Sequence, residues 1–256
     1  MTAPIMTGAE PYSAEGGPTG VLVLHGFTGN PQSMRSLAER LAGAGHTVEL
    51  PLLPGHGTAV EDMATTRWED WSGAAEAAYQ ALAARCERVA VTGLSMGGAL
   101  ACSLAADHPE VAGIAVVNPI VAAPGDELRG PIRDLLASGE TFVDGIGSDI
   151  AKEGVVEASY SRTPLACVLS LFEGVDSLGE RLGAIGCPVL LLTSREDHVV
   201  TADSGELLEQ AAGGPVERVW LERSYHVATL DWDAPVVEER VVAFAAEVLG
   251  SPAASR

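Results

Sequence analysis

Ser95 lies in Gly93-Leu94-Ser95-Met96-Gly97, a G-x-S-x-G run placed directly after the apolar segment Arg88 to Thr92 and directly before a helix-length segment. Small residues around a serine at such a junction permit a strained turn that lifts the hydroxyl over a sheet edge. Gly93, Gly97 and Gly98 supply them. A serine hydroxyl is a weak nucleophile until a base takes its proton, so a histidine must reach it and a carboxylate must fix that histidine's tautomer. The chain has six histidines. Where this turn occurs, the acid and then the base follow the serine, which leaves His108, His198 and His226. His108 ends the helix after the turn, where a histidine serves as a helix-end charge. His226 follows the last predicted strand and Asp197 the one before it. Ser95, Asp197 and His226 are therefore expected as nucleophile, acid and base at one edge of a parallel sheet. Glu196, Asp231 and Asp233 are the alternative acids; the last two are expected to cap the final helix. His198, on the same loop as Asp197, reads as a structural neighbour.

Acyl transfer passes through a tetrahedral oxyanion, which backbone N–H groups must meet, each worth on the order of 3 kcal/mol. Met96, next after the nucleophile, offers one. The second is expected from Phe27, in His25-Gly26-Phe27-Thr28-Gly29 after the first predicted strand.

The elements that must hold these groups follow from periodicity. Short apolar runs at Val21 to Leu24, Thr47 to Leu50, Arg88 to Thr92, Gly113 to Asn118, Val189 to Thr193 and Val216 to Leu221 predict strands covered on both faces. Helices are predicted over Pro31 to Ala44, Trp68 to Arg85, Met96 to His108, Ala202 to Ala212 and Pro235 to Leu249, two of them opened by a first-turn proline. This alternation gives one α/β domain over residues 1–256. The rhythm breaks from Ile120 to Leu182, a long Gly- and Pro-punctuated excursion expected to be a cap. The pair Trp68 and Trp71 is expected to pack in the core or under that cap, and the tail SPAASR to fray.

Composition excludes other chemistry. A net charge of −20 disfavours nucleic acid and anionic membrane surfaces as partners. The single lysine, Lys152, follows alanine, so no Gly-Lys-Ser/Thr phosphate loop exists. Gly43-Ala44-Gly45, Gly55-His56-Gly57 and Gly145-Ile146-Gly147 each lack the third glycine of a dinucleotide fingerprint, so no cofactor is implied. Four cysteines without a C-x-x-C pair or metal-site spacing suit a reduced, cytoplasmic protein. No basic and apolar leader and no membrane-length apolar run is read, so neither secretion nor a stable anchor is expected.

Through HGFTGNPQSMR, LPGHGT, VTGLSMGG, REDHVV and SYHVATLD the chain resembles the bacterial carboxylesterase and monoacylglycerol lipase group of α/β-hydrolases, nearly end to end. GAEPYSAEGGPTGV and GIGSDI extend the likeness toward the monoacylglycerol lipases. The resemblance implies a mostly parallel central sheet flanked by helices, with a small cap inserted after the sixth strand. It places the family's triad on Ser95, Asp197 and His226 and its oxyanion donors on Phe27 and Met96. It also implies a cap glutamate that binds the glycerol hydroxyls, falling on Glu157 with Glu153 as the neighbouring alternative. Ile146, Leu169 and Leu171 of the excursion are candidates to line an acyl channel, with core packing an equal explanation of them. The expected substrate is a small ester, most specifically a monoacylglycerol. The rival readings are a general esterase or thioesterase with the same triad, and a noncatalytic receptor on this scaffold.

Overall fold

The computed structural model describes residues 3–250. Its centre is a seven-stranded sheet in the order β1-β3-β2-β4-β5-β8-β9. The strands are β1 (Tyr12–Ala14), β2 (Thr19–Leu24), β3 (Thr47–Leu50), β4 (Arg88–Leu94), β5 (Ile114–Val117), β8 (Val189–Ser194) and β9 (Val216–Leu221). All neighbours are parallel except β1, which closes one edge antiparallel to β3 through Tyr12 opposite Leu50. The tail expected to fray, SPAASR, lies outside the described residues.

Side chains alternate across a strand, and here both faces are dry. Leu22, Leu24, Val91, Val116 and Leu191 pack on one face beneath α3 (Trp68–Ala83), α4 (Met96–Asp107) and α6 (Leu165–Gly179). Val21, Val23, Ala90, Val117 and Leu192 pack on the other beneath α1 (Arg35–Gly43) and α8 (Ala234–Leu249). A helix α7 (Ala202–Ala211) and a short α2 (Val60–Met63) complete the flanks. Trp71 is fully buried and donates Nε1–H to the Pro54 carbonyl and Thr66 Oγ1. Trp68 packs its ring against α6 at Gly174, where any Cβ would lie 2.1 Å from Trp68 Cδ2.

The expected boundaries shift in two places. The excursion leaves the sheet after β5, the fifth strand of the chain and not the sixth, because a single strand, β1, precedes β2. It also ends earlier than Leu182. Helix α5 (Asp126–Ala137) packs on α6 through Arg129 and Asp176, and the hairpin β6 (Phe142–Asp144) with β7 (Arg162–Pro164) holds a strap that bonds to the loops after β2, β8 and β9. Helix α6, by contrast, buries Cys167, Leu171, Phe172, Val175 and Leu178 in the sheet-flanking core. Its continuous apolar character belongs to a core helix, not to a cap.

All four cysteines are free, and burial pushes each thiol up, Cys167 to about 11. Among the described residues no helix is long and apolar enough to cross a membrane.

Candidate active site

Ser95 follows the last residue of β4 and adopts φ 55°, ψ −115° before α4 begins. That backbone region is sparsely populated by non-glycine residues. The glycines around it are steric requirements. A Cβ on Gly97 would lie 2.2 Å from the Leu24 carbonyl oxygen, one on Gly93 2.2 Å from that of Gly97, and one on Gly98 2.8 Å from the Pro119 side chain. The turn is further held by Ser95 N–H on the Val117 carbonyl at 3.0 Å.

Asp197 and His226 come from the loops after β8 and β9. His226 Nδ1 and Asp197 Oδ2 are 2.7 Å apart, with both side chains more than nine-tenths buried. Asp197 Oδ1 accepts the N–H groups of Val199 and Val200, each at 2.8 Å, which fixes the carboxylate's orientation. His226 in turn gives its carbonyl to Asn118 Nδ2 at 2.8 Å; Asn118 also bonds Ser194 through both amide ends. Among the described residues neither Ser95 nor His226 Nε2 makes a side-chain hydrogen bond, and neither atom counts among the fully enclosed ones. The reacting atoms are thus unpartnered and reachable, as suits a site awaiting substrate.

The loop after β2 lies beside Ser95. A Cβ on Gly26 would stand 3.6 Å from that of Ser95, so this loop abuts the nucleophile. Thr28 takes φ 60° and closes the turn with its hydroxyl on the Phe27 carbonyl at 2.6 Å. Beneath it His25 donates Nδ1–H to the Gly26 carbonyl at 3.0 Å and accepts Leu53 N–H on Nε2 at 3.1 Å. Burial, with His56 adjacent, drives the His25 pKa down to about 3, and burial, opposed by hydrogen bonds to the Pro54 and Leu53 backbone, takes His56 to about 4. Both are neutral struts. Phe27 packs edge-on to Trp71 at 5.5 Å. Among the described residues the N–H groups of Phe27 and Met96 have no acceptor.

Glu157 extends from the strap toward the same place. Its N–H donates to Ser148 Oγ at 2.8 Å, and the next residue is laced to the loop after β2: Asn30 Nδ2 donates to the Ala158 carbonyl, and Ala158 N–H to Gln32 Oε1 at 3.2 Å. The carboxylate lies so close to Gly29 that a Cβ there would be 2.7 Å from Oε1. Burial pushes the Glu157 carboxyl above its ordinary range, while the His226 charge and the Ser33 hydroxyl pull it partly back. The folded chain therefore resists an ionisation that the unfolded chain accepts. That cost is absent below the ordinary value of 4.5 and complete above the raised one. Glu157→Gln is accordingly expected to gain about 1 kcal/mol at pH 8, raising Tm by about 2–4 °C, with no gain at pH 4; thermal melts at both pH values check this.

The other expected site residues fall elsewhere. Ile146 is 72% exposed between Gly145 and Gly147, whose φ of 77° reverses the chain, and so it lines no enclosed acyl channel. Leu171 is buried in the sheet-flanking core and Leu169 half-buried on the same helix. Glu153 and Glu196 are exposed. His108 pairs with Glu76 at 2.8 Å, far from the serine turn at the other end of α4. Asp231 and Asp233 do not cap α8 through their side chains. Asp231 instead accepts the N–H groups of Tyr225, Ala151 and Lys152, and Asp233 that of Arg223. The N–H donors they satisfy belong to irregular loops, which have no ladder to bond.

Two residues were not anticipated, Asn118 and Asp149. Asn118 had a visible signal: an asparagine at a strand's C-terminal end before Pro119, here in the left-handed region at φ 44°. Asp149 gave none beyond its place in GIGSDI. Its carboxylate contacts His198 and the His226 backbone, and that hydrogen bond with its charge holds the His198 imidazole above its ordinary pKa.

The sequence pattern of the alpha/beta hydrolase family matches residues 21–239. The chain is 44% identical over 250 residues to a thermostable monoacylglycerol lipase of Bacillus sp. (strain H-257), covering 96% of this chain and 98% of that protein. It is 26% identical over 237 residues to a carboxylesterase of Bacillus subtilis (strain 168), covering 92% and 95%. A solved structure from work on two metagenome-derived lipolytic enzymes, LipS and LipT, superposes with a TM-score of 0.90 at 43% identity, over 95% of this chain and all of that one. With the serine turn, the sheet order and these matches in agreement, the chain belongs to the alpha/beta hydrolase family.

Proposed function

We propose that this protein is a serine hydrolase of carboxylic esters that cleaves monoacylglycerols to glycerol and a fatty acid. The observation that carries the reading is the Glu157 carboxylate, set against the loop after β2 and within electrostatic reach of His226. A general esterase needs no acid there; a site that must recognise an alcohol rich in hydroxyls does. The likeness to the Bacillus lipase supports the same substrate class.

In this mechanism His226 Nε2 takes the Ser95 proton as the oxygen attacks the ester carbonyl, and Asp197 keeps the imidazole's other proton on Nδ1. The oxyanion is met by the Phe27 and Met96 N–H groups. The imidazolium then protonates the departing glycerol oxygen, leaving an acyl-enzyme. Water, deprotonated by His226, attacks the acyl carbon, and the returning proton frees Ser95 and the fatty acid. Glu157 accepts hydrogen bonds from the glycerol hydroxyls throughout, so an alcohol lacking them leaves the carboxylate with the Ser33 hydroxyl and fewer partners than it can take. No cofactor enters any step. The four raised, free thiols suit a reducing compartment such as the cytoplasm.

The test is kcat/KM for one acyl group presented as a monoacylglycerol, a methyl ester and a p-nitrophenyl ester. Preference for the glycerol ester is expected, and Glu157→Ala is expected to lower it by about 10- to 100-fold while sparing the methyl ester. Indifference to the alcohol, unchanged in the variant, would leave a general carboxylesterase.

A further inference from the structure

The His226 backbone is held from two sides. The inner hold is Asn118, which sits on the sheet and takes the His226 carbonyl. The outer hold comes from the strap between β6 and β7. Asp149 Oδ2 accepts His226 N–H at 3.0 Å and His198 N–H at 3.1 Å; Oδ1 meets His198 Nδ1 at 2.8 Å; and the Asp149 carbonyl accepts Val227 N–H at 3.1 Å. One residue thereby joins the loop of the acid to the loop of the base.

The strap is fastened again two residues on. Asp231, 1% exposed on the base loop, accepts Ala151 N–H at 2.7 Å, Lys152 N–H at 3.0 Å and Tyr225 N–H at 2.9 Å. The His198 ring stacks edge-on to Tyr225 at 4.6 Å, tying the two loops a third time. Residues 149–152 thus run between the loops of Asp197 and His226, bonded to both. Glu157, eight residues after Asp149 on the same strap, lies against Gly29 in the loop after β2.

A carboxylate accepting several N–H groups is a stiff clamp, because each bond is charge-assisted and none can be replaced by a neighbouring acceptor. If the strap lifts, His226 N–H and Val227 N–H lose their partners together, and the imidazole is then located by its ring bond to Asp197 and by Asn118 alone.

We infer that Asp149 is a positioning residue: it makes productive placement of His226 conditional on the strap being seated, so that the element carrying Glu157 also assembles the base. The inference rests on the proposed roles of Asp197 and His226 and goes beyond them, since it gives the cap a part in the chemistry with any alcohol. Asp149 touches neither substrate nor the reacting atoms; it acts through His226.

The test compares Asp149→Ala, Asp149→Asn and His198→Ala for p-nitrophenyl ester turnover per folded molecule and for the rate of covalent labelling of Ser95 by a fluorophosphonate. Displacement of a base by about 1 Å costs on the order of 100-fold, so Asp149→Ala is expected to lower kcat and the labelling rate alike by about 100-fold with KM changed less than about threefold. Asparagine retains one oxygen able to take both backbone N–H groups, and is expected to restore both rates to within about fivefold of wild type. His198→Ala leaves those two bonds in place and is expected to keep kcat within about threefold. Should the alanine variant not fold, Asp149→Ser, whose short hydroxyl cannot span both N–H groups, gives the same comparison, with about a tenfold loss expected. Wild-type rates in folded Asp149→Ala or Asp149→Ser, or a loss confined to KM, would overturn the inference. Failure of wild type itself to be labelled would instead overturn the serine-hydrolase reading, so the two failures are distinct.

Discussion

Ser95→Ala is expected to lower kcat for ester hydrolysis by about 10⁶-fold, to the level left by binding and the oxyanion donors, while the chain remains folded. The side chain makes no hydrogen bond among the described residues, so its removal breaks none. Ester turnover of the purified variant, with circular dichroism as the control for folding, checks it; retained turnover would remove Ser95 from the nucleophile's role. Ser95→Gly sharpens the result. It is equally inactive, but the residue is held at φ 55°, ψ −115°, a region costing on the order of 1–3 kcal/mol for a residue with a Cβ. Glycine relieves that strain at an entropic cost of about 0.5–1 kcal/mol. A net gain of about 1 kcal/mol would raise Tm by about 2–4 °C. Activity lost with stability gained at one position would be direct evidence that the strain is kept for the chemistry.

The second large effect is expected at Asp197→Asn, about a 10⁴-fold fall in kcat. Val199 and Val200 both point N–H groups at Oδ1, so the asparagine carbonyl oxygen must take that place and its NH₂ must take the place of Oδ2. That NH₂ then faces His226 Nδ1, where wild type has an acceptor at 2.7 Å. Two donors cannot share one bond, so the imidazole is forced to carry its proton on Nε2, and a protonated Nε2 cannot take the Ser95 proton. Steady-state kinetics with Glu196→Gln and Asp231→Asn in parallel checks the assignment. Glu196 is exposed, and Glu196→Gln is expected to be near wild type; a loss of less than tenfold in Asp197→Asn would transfer the acid's role to another carboxylate.

How far the sequence anticipates this site depends on the range of the interactions. Strands β3 and β9 and the starts of α3, α4 and α7 fall where apolar runs and helix periodicity place them, because local burial patterns determine them. Strand β1 is invisible at that level: Tyr12, Ser13 and Ala14 carry no apolar run, and the strand exists only because β3 offers an edge. The excursion is visible as a break in rhythm, but its division between strap and α6 is not, since that turns on whether Leu171 and Val175 find α3 and the sheet. The site behaves likewise. Ser95 and its glycines are legible because the elbow is a local steric problem, and Asp197 and His226 because strand ends define the edge. Asp149 is not legible, because its partners His198 and His226 are 49 and 77 residues away. Ile146 misleads for the converse reason: an apolar residue within the excursion reads as a candidate lining residue, and the turn at Gly147 leaves it in solvent.

The raised pKa values of the four native thiols have a practical consequence for observing the cap. A thiol reacts as its thiolate, so at neutral pH the native cysteines are slow partners for maleimides and similar reagents. An added cysteine on the cap at Val156, 71% exposed, would outpace them in an otherwise wild-type background. A single environment-sensitive dye attached there would report whether the cap's surroundings change when an ester binds, without first stripping the protein of residues on which its core depends.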